Sequence, residues 1–221
     1  MEKANNSIYI RRINLAIDYI DRNLQQELTL DKIAEVACFS PFYFQRIFSA
    51  VMGESPKGYV TRLRVEKAAG MLLSYPDKPI ADIAYDCGFS SPFVFNRNFK
   101  KHFGIKPTEF RKNRQFKSKN DQPGKLSEDY VCLVTNLKNG GFMDNIQVKE
   151  MPALDLVYCR HNGPFNQIDQ AYEKLFRWAG PRGLLNNPDW KTVTVYHDDP
   201  NITEIEKVRQ DACITVQGDV K

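Results

Sequence analysis

The sequence predicts an all-α N-terminal domain followed by an α+β module with an antiparallel sheet. Three observations carry that reading. A helix-turn-helix pattern occurs twice within residues 1–113, at an offset of 50 and then 51 residues. Apolar residues in that stretch follow the 3.6-residue period of a helix. Beyond residue 142 the period falls to two and β-branched runs begin.

The elements follow in order. Ile13, Ala16, Ile17, Ile20 and Leu24 form one stripe of a first helix. Thr29 is placed to cap a short second helix carrying Ile33, Ala34 and Ala37. Ser40-Pro41 joins a hydroxyl N-cap to a proline at the first helical position, and Ser55-Pro56 and Ser91-Pro92 repeat the signal. Gly53 and Gly104 fit left-handed C-terminal stops. Pro79 opens another short helix that ends near Gly88. Residues 114–141 read as a linker, because Gln115 to Lys125 is polar and turn-rich. In the module, residues 142–221, Ile146 and Val148 alternate with polar residues, and Leu154 to Cys159 is a β-type run behind Pro152. A helix over Asn166 to Ala179 carries Ile168, Ala171, Tyr172, Leu175 and Ala179 on one face. Thr192–Tyr196 is a strand, Asp198 to Asn201 a turn, and Ala212–Val216 a last strand.

Composition excludes several classes. The 221 residues are 42% hydrophobic and 26% charged, ordinary globular values. No apolar run approaches the roughly 20 residues of a membrane span. The N-terminus lacks a signal-peptide core, which makes the cytoplasm the expected compartment. Five scattered cysteines without a C-x-x-C, and three histidines, indicate neither a disulfide framework nor a metal site. The net charge of +4 is uneven: residues 1–119 carry +8 and residues 120–221 carry −4. A basic front half makes an anionic polymer a candidate partner.

The repeat gives the first half its chemistry. Ile33-Ala34 and Phe39-Ser40 match Ile83-Ala84 and Phe89-Ser90. Pro41, Phe42, Phe44, Arg46, Phe48, Gly53 and Pro56 then match Pro92, Phe93, Phe95, Arg97, Phe99, Gly104 and Pro107. The helical period turns Phe44, Ile47, Phe48 and Val51 inward, and likewise Phe95, Phe99 and Phe103. It turns Phe42, Gln45, Arg46 and Ser49 outward, with Phe93, Asn96, Arg97 and Lys100 as their counterparts. Arginine can pair bidentately with guanine, and Gln or Asn with adenine. A major groove admits one helix, read by residues near its N-terminus. Outward polar residues early in both helices fit double-stranded DNA.

Residues 7–113 resemble the DNA-binding domain of the AraC/XylS family of bacterial transcription regulators. The carriers are Leu30 to Ala34, Cys38-Phe39-Ser40 and Phe44 to Phe48, then Ile80 to Ala84, Cys87-Gly88-Phe89, Phe95 to Lys101 and Gly104 to Arg111. The resemblance implies seven helices, with a joining helix over Pro56–Ser74 that sets two recognition helices about 34 Å apart on one DNA face. It assigns Phe42, Gln45 and Arg46, and Phe93, Asn96 and Arg97, to contact positions. Pro92 and Phe93 depart from the polar start usual in the family, and Phe93 is suited to a thymine methyl. Lys100, Lys101 and Arg62 are phosphate candidates. RNA polymerase is the implied protein partner, and activation the implied sign.

Residues 142–218 resemble the gyrase-inhibitory-protein-like effector module. The carriers are Arg160 to Phe165, Leu175 to Ala179, Gly183-Leu184-Leu185, Tyr196 to Pro200 and Asp211 to Ile214. Such modules bind small apolar or cationic molecules between two strand-helix-strand-strand halves, and this chain carries one half. Truncation, pairing of two copies, or loss of sensing each fit, so monomer and homodimer both stand. Tyr158, His161, Phe165, Trp178 and Tyr196 are the ligand candidates, since aromatic walls suit apolar and cationic molecules. No nucleophile elbow, P-loop or H-E-x-x-H occurs, so no catalytic residue and no cofactor are expected. Some relatives of the module hydrolyse small molecules with a Tyr and a Glu. Glu150, Glu173 and Tyr158 occur here without a motif that places them. The alternative reading is a small-molecule binder or hydrolase with a DNA-targeting front domain.

Overall fold

Hydroxyl, proline and glycine signals set the helix boundaries of the first half. The computed structural model describes residues 2–112 and 150–218. The expected linker, and the alternation at Ile146 and Val148, lie outside the described residues. Contacts divide the chain into two units, Met1–Phe116 and Lys117–Lys221.

The described part of the first unit holds seven helices: α1 Glu2–Arg22, α2 Leu30–Val36, α3 Pro41–Met52, α4 Pro56–Ser74, α5 Ile80–Asp86, α6 Pro92–Phe103 and α7 Pro107–Lys112. Thr29, Ser55 and Ser91 accept hydrogen bonds from the amides of Lys32, Gly58 and Val94. Ser40 starts α3 with extended backbone but makes no side-chain cap. There Pro41 alone supplies the start signal, with its φ already helical. Gly53 and Gly104 end α3 and α6 at φ of 70° and 79°.

Both helix-turn-helix corners use one hydrogen-bond pattern. Phe39 N donates to Ala34 O at 3.0 Å and Cys38 N to Glu35 O at 2.9 Å; Phe89 N donates to Ala84 O at 3.0 Å and Gly88 N to Tyr85 O at 2.8 Å. Each pair closes its helix with a left-handed residue, Cys38 at φ 54° and Gly88 at φ 81°.

The α1 stripe packs with Ile33, Ala34, Phe44, Phe48, Tyr59 and Leu63 into the first core. The second is built on rings, with Phe95–Phe99 and Phe99–Phe110 centroids both 5.3 Å apart. Each such buried side chain contributes about 1.5–3 kcal/mol of transfer free energy. Val51 is a correction: it lies on the inward stripe by period but is 45% exposed. It falls in the last turn of α3, where Met52 rather than Val51 packs against the core.

The second unit is a three-stranded antiparallel sheet, β1 Leu156–Asn162, β2 Thr192–Tyr196 and β3 Arg209–Thr215, in the order β1-β3-β2. Helix α8, Asp169–Ala179, follows a 3-10 turn at Phe165–Gln167. Its Leu175 and Ala179 pack on Ile214, Val157 and Cys159, which share one sheet face. Two strands depart from expectation. β1 starts at Leu156, where pairing with Thr215 begins, and runs on to Asn162. β3 starts three residues early because Arg209, Gln210 and Asp211 are buried despite their polarity. Central position and ion pairing hold them there.

Candidate nucleic-acid interface and ligand face

Helices α3 and α6 present matched side chains at the same depth from their first residue. Phe42 and Phe93 are one residue in, 78% and 75% exposed. Gln45 and Arg46 on α3, and Asn96 and Arg97 on α6, stand exposed one turn further. Ser49 is half-buried, and Lys100 and Lys101 are exposed in the last turn of α6. The buried phenylalanines beneath fix the rotation of each helix, so these residues must face solvent. The surface is donor-rich, with a flat apolar ring at the start of each helix.

The two copies differ in support. The Arg46 guanidinium lies 5.6 Å from the centre of the Tyr43 ring. Tyr43 donates a hydrogen bond to the Tyr9 hydroxyl at 3.1 Å and meets Phe39 edge-on at 5.4 Å. Arg12 covers Phe39 at 5.0 Å and donates to Cys38 O at 3.1 Å. Val94 occupies the position under Arg97 that Tyr43 occupies under Arg46. Sequence reasoning missed this stack, although Tyr9, Tyr43 and Arg46 were its visible signal.

Arg62 is a correction. It is 6% exposed and cannot reach a phosphate. Its Nη2 lies 2.7 Å from Glu54 Oε1 and its Nη1 3.1 Å from Glu66 Oε2, with the guanidinium 5.0 Å from the Tyr59 ring centre. Burial works against its charge, but Glu66 and Glu54 outweigh that and hold it firmly protonated. His102 of α6 stands 3.7 Å from Glu66. Glu66 at i+4 was the sequence signal for an internal pair.

The five ligand candidates do not converge. Phe165 and Tyr196 meet edge-on at 5.0 Å, and His161 lies across the central strand from Tyr196, in the same row through Gln210. The His161 ring is tied to its own turn, with Nε2 3.2 Å from Pro164 O. Tyr158 lies on the opposite sheet face under Arg160, 5.2 Å from its guanidinium. Trp178 is on the outer side of α8, covered by Arg182 at 4.3 Å. A groove of about 430 Å³ lies instead between α8 and β2, lined by Asp169, Tyr172, Glu173, Phe176 and Thr192. A second, of about 660 Å³, lies where β1 begins and β3 ends, beside Trp190.

Several residues that carry the second resemblance serve an ion network. Arg160 grips Asp211 with two bonds of 2.8 and 2.9 Å, and His197 Nε2 lies 2.8 Å from the same carboxylate. Arg209 grips Asp198 at 2.8 and 2.7 Å. Burial pushes the Asp211 carboxyl up, but the bonds to His197 and Arg160 prevail and bring it to about 2. Among the described residues no group of His, Cys, Asp and Glu could hold a metal ion, and no helix is long and apolar enough to cross a membrane.

Comparison with known proteins finds a family match in each half of the chain. Residues 33–113 match a helix-turn-helix domain family, and residues 144–221 match the GyrI-like small molecule binding domain. The chain is similar to the regulatory protein SoxS of Salmonella typhimurium, 33% identical over 45% of this chain and 92% of that one. It is similar to the transposon Tn10 TetD protein of Escherichia coli, 38% identical over 43% of this chain and 69% of that one. The lactose operon transcription activator of Staphylococcus xylosus is 32% identical over 45% of this chain and 35% of its own length. The chain spans between 26% and 42% of the length of six longer curated relatives.

Proposed function

The chain belongs to the AraC/XylS family of transcription regulators, with a GyrI-like domain behind the paired helix-turn-helix units, and from that premise we propose that it reads a two-block DNA sequence to activate transcription. The observation that carries this is the matched exposure of Phe42, Gln45 and Arg46 with Phe93, Asn96 and Arg97 on two helices of one unit. Arg46 and Arg97 recognise guanine, Gln45 and Asn96 adenine, and the two phenylalanines thymine methyls. Lys100 and Lys101 hold phosphates and set the register. The role is regulatory rather than catalytic, in a bacterial cytoplasm with RNA polymerase as the protein partner.

The second unit takes a small apolar cation as effector. Supporting this are the GyrI-like match and the α8–β2 groove, where Tyr172 and Phe176 offer ring faces beside the carboxylates of Asp169 and Glu173. Rings and carboxylates together suit an organic cation. Phe165 and Tyr196 form a neighbouring aromatic pair.

The test is selection of binding sites from random duplex DNA at about 150 mM salt, where non-specific binding is weak. The expected result is an enriched motif of two blocks about one helical turn, 10–10.5 base pairs, apart. Salt-sensitive binding to every duplex without enrichment would overturn the reading and leave the ligand-binding half as the functional centre.

A further inference from the structure

The two helix-turn-helix corners are built alike, yet one carries Cys38 and the other Gly88. The left-handed backbone does not explain the difference, because Cys38 adopts φ 54° with its side chain exposed. The surroundings do explain it. A side chain added at Gly88 would place its Cβ 2.6 Å from Leu24 O and 3.0 Å from the Arg64 guanidinium. Leu24 belongs to the core of the first repeat, and Gly88 closes the corner of the second. The repeats therefore touch here through backbone.

Arg64, on the joining helix α4, completes the contact. Its Nε donates to Leu24 O at 2.9 Å and its Nη2 to Gln26 O at 2.6 Å. These carbonyls follow the end of α1, where helical partners run out. One guanidinium thus ties the joining helix to the first repeat while Gly88 closes against it. Burial lowers its pKa below the ordinary arginine value.

We propose that Arg64 and Gly88 form a junction that fixes the distance and rotation between α3 and α6, and so dictates the spacing of the two DNA blocks. This rests on the two-block reading above. Arg64 and Gly88 are positioning residues: they touch no base, and they act through the recognition helices. One inserted base pair moves the second block by about 3.4 Å and a tenth of a turn. A rigid pair of helices cannot follow both changes, whereas a loosened pair can.

The experiment titrates the full chain against the selected two-block duplex and against duplexes with one base pair inserted or removed between the blocks. Wild type is expected to bind the shifted duplexes about tenfold more weakly, the cost of losing part of one block. Arg64→Gln and Gly88→Cys are expected to narrow that ratio to about twofold, with block preferences kept. Cys38→Gly is the control and keeps the wild-type ratio. A role in stability alone lowers affinity for all spacings equally and leaves the ratio unchanged. The proposal is overturned if folded Arg64→Gln, checked by circular dichroism, retains the wild-type ratio, or if wild type ignores spacing. Arg64→Gln decides the matter if Gly88→Cys does not fold. A wild type that prefers no duplex at all refutes the two-block reading itself, an outcome distinct from strict spacing in every variant.

Discussion

Arg62 shows how a charge on a helix can belong to the interior. Held between Glu54 and Glu66, it leaves two carboxylates without their cation when removed. Arg62→Ala is expected to cost about 3 kcal/mol of stability in urea unfolding, the low end for breaking a buried pair, because Glu54 reaches water. The slope of DNA affinity against salt stays as in wild type; a drop of about one unit would return Arg62 to the phosphate contacts. Asp211 gives the matching case in the second unit. Its folded pKa of about 2 lies below the ordinary 3.8, so its charge stabilises the fold above 3.8 and that gain is lost as pH falls through about 2. Unfolding followed between pH 4 and pH 2 is expected to show this loss in wild type. Asp211→Asn should be less stable at neutral pH and flatter across that window; an equal slope in both proteins contradicts the assignment. Neither role was legible by residue type. Arg62 resembles any basic surface residue until Glu54 and Glu66 are seen around it, and Asp211 resembles a turn residue until Arg160 closes on it from 51 positions away.

Among the elements, the helices were the most legible, because their signals are local. The joining helix spans Pro56–Ser74 as the family resemblance implied, between its Ser55 cap and Tyr75. Capping separates the two recognition helices. Ser91 accepts from Val94 N at 3.3 Å, whereas Ser40 makes no side-chain cap. Ser91→Ala is therefore expected to cost about 1 kcal/mol in urea unfolding and Ser40→Ala only a few tenths. Equal losses would show that cap geometry does not set the difference. The strands were less legible. β3 places Arg209, Gln210 and Asp211 in the middle of a sheet, and only pairing with β1 and β2 makes that tolerable. The alternation rule sees those residues as a polar loop. The ligand candidates failed to converge for a related reason: Tyr158 and His161 lie three positions apart on a strand and so face opposite sides.

At the scale of the whole molecule, the charge asymmetry between the two halves matches their chemistry. The basic half exposes the arginine and lysine side chains proposed to meet base edges and phosphates, and the slightly acidic half sets the carboxylates of Asp169 and Glu173 beside Tyr172 and Phe176. The internal repeat made the first half readable twice over, since each copy checks the other. Its departures from identity were the informative places: Tyr43 against Val94 marks where Arg46 is supported, and Cys38 against Gly88 marks where the repeats meet. The second half has no such internal copy, and none of the residues lining its groove between α8 and β2 was among the ligand candidates.

Two recognition helices reading separate blocks is the central claim, and paired arginine variants test it most directly. Affinity of Arg46→Ala and Arg97→Ala would be measured against the selected duplex and against every single-base change within both blocks. Each variant is expected to lose about 1–3 kcal/mol and to lose base preference in one block only, a different block for each. Variants that keep wild-type affinity and preference, or that flatten the same block, contradict it.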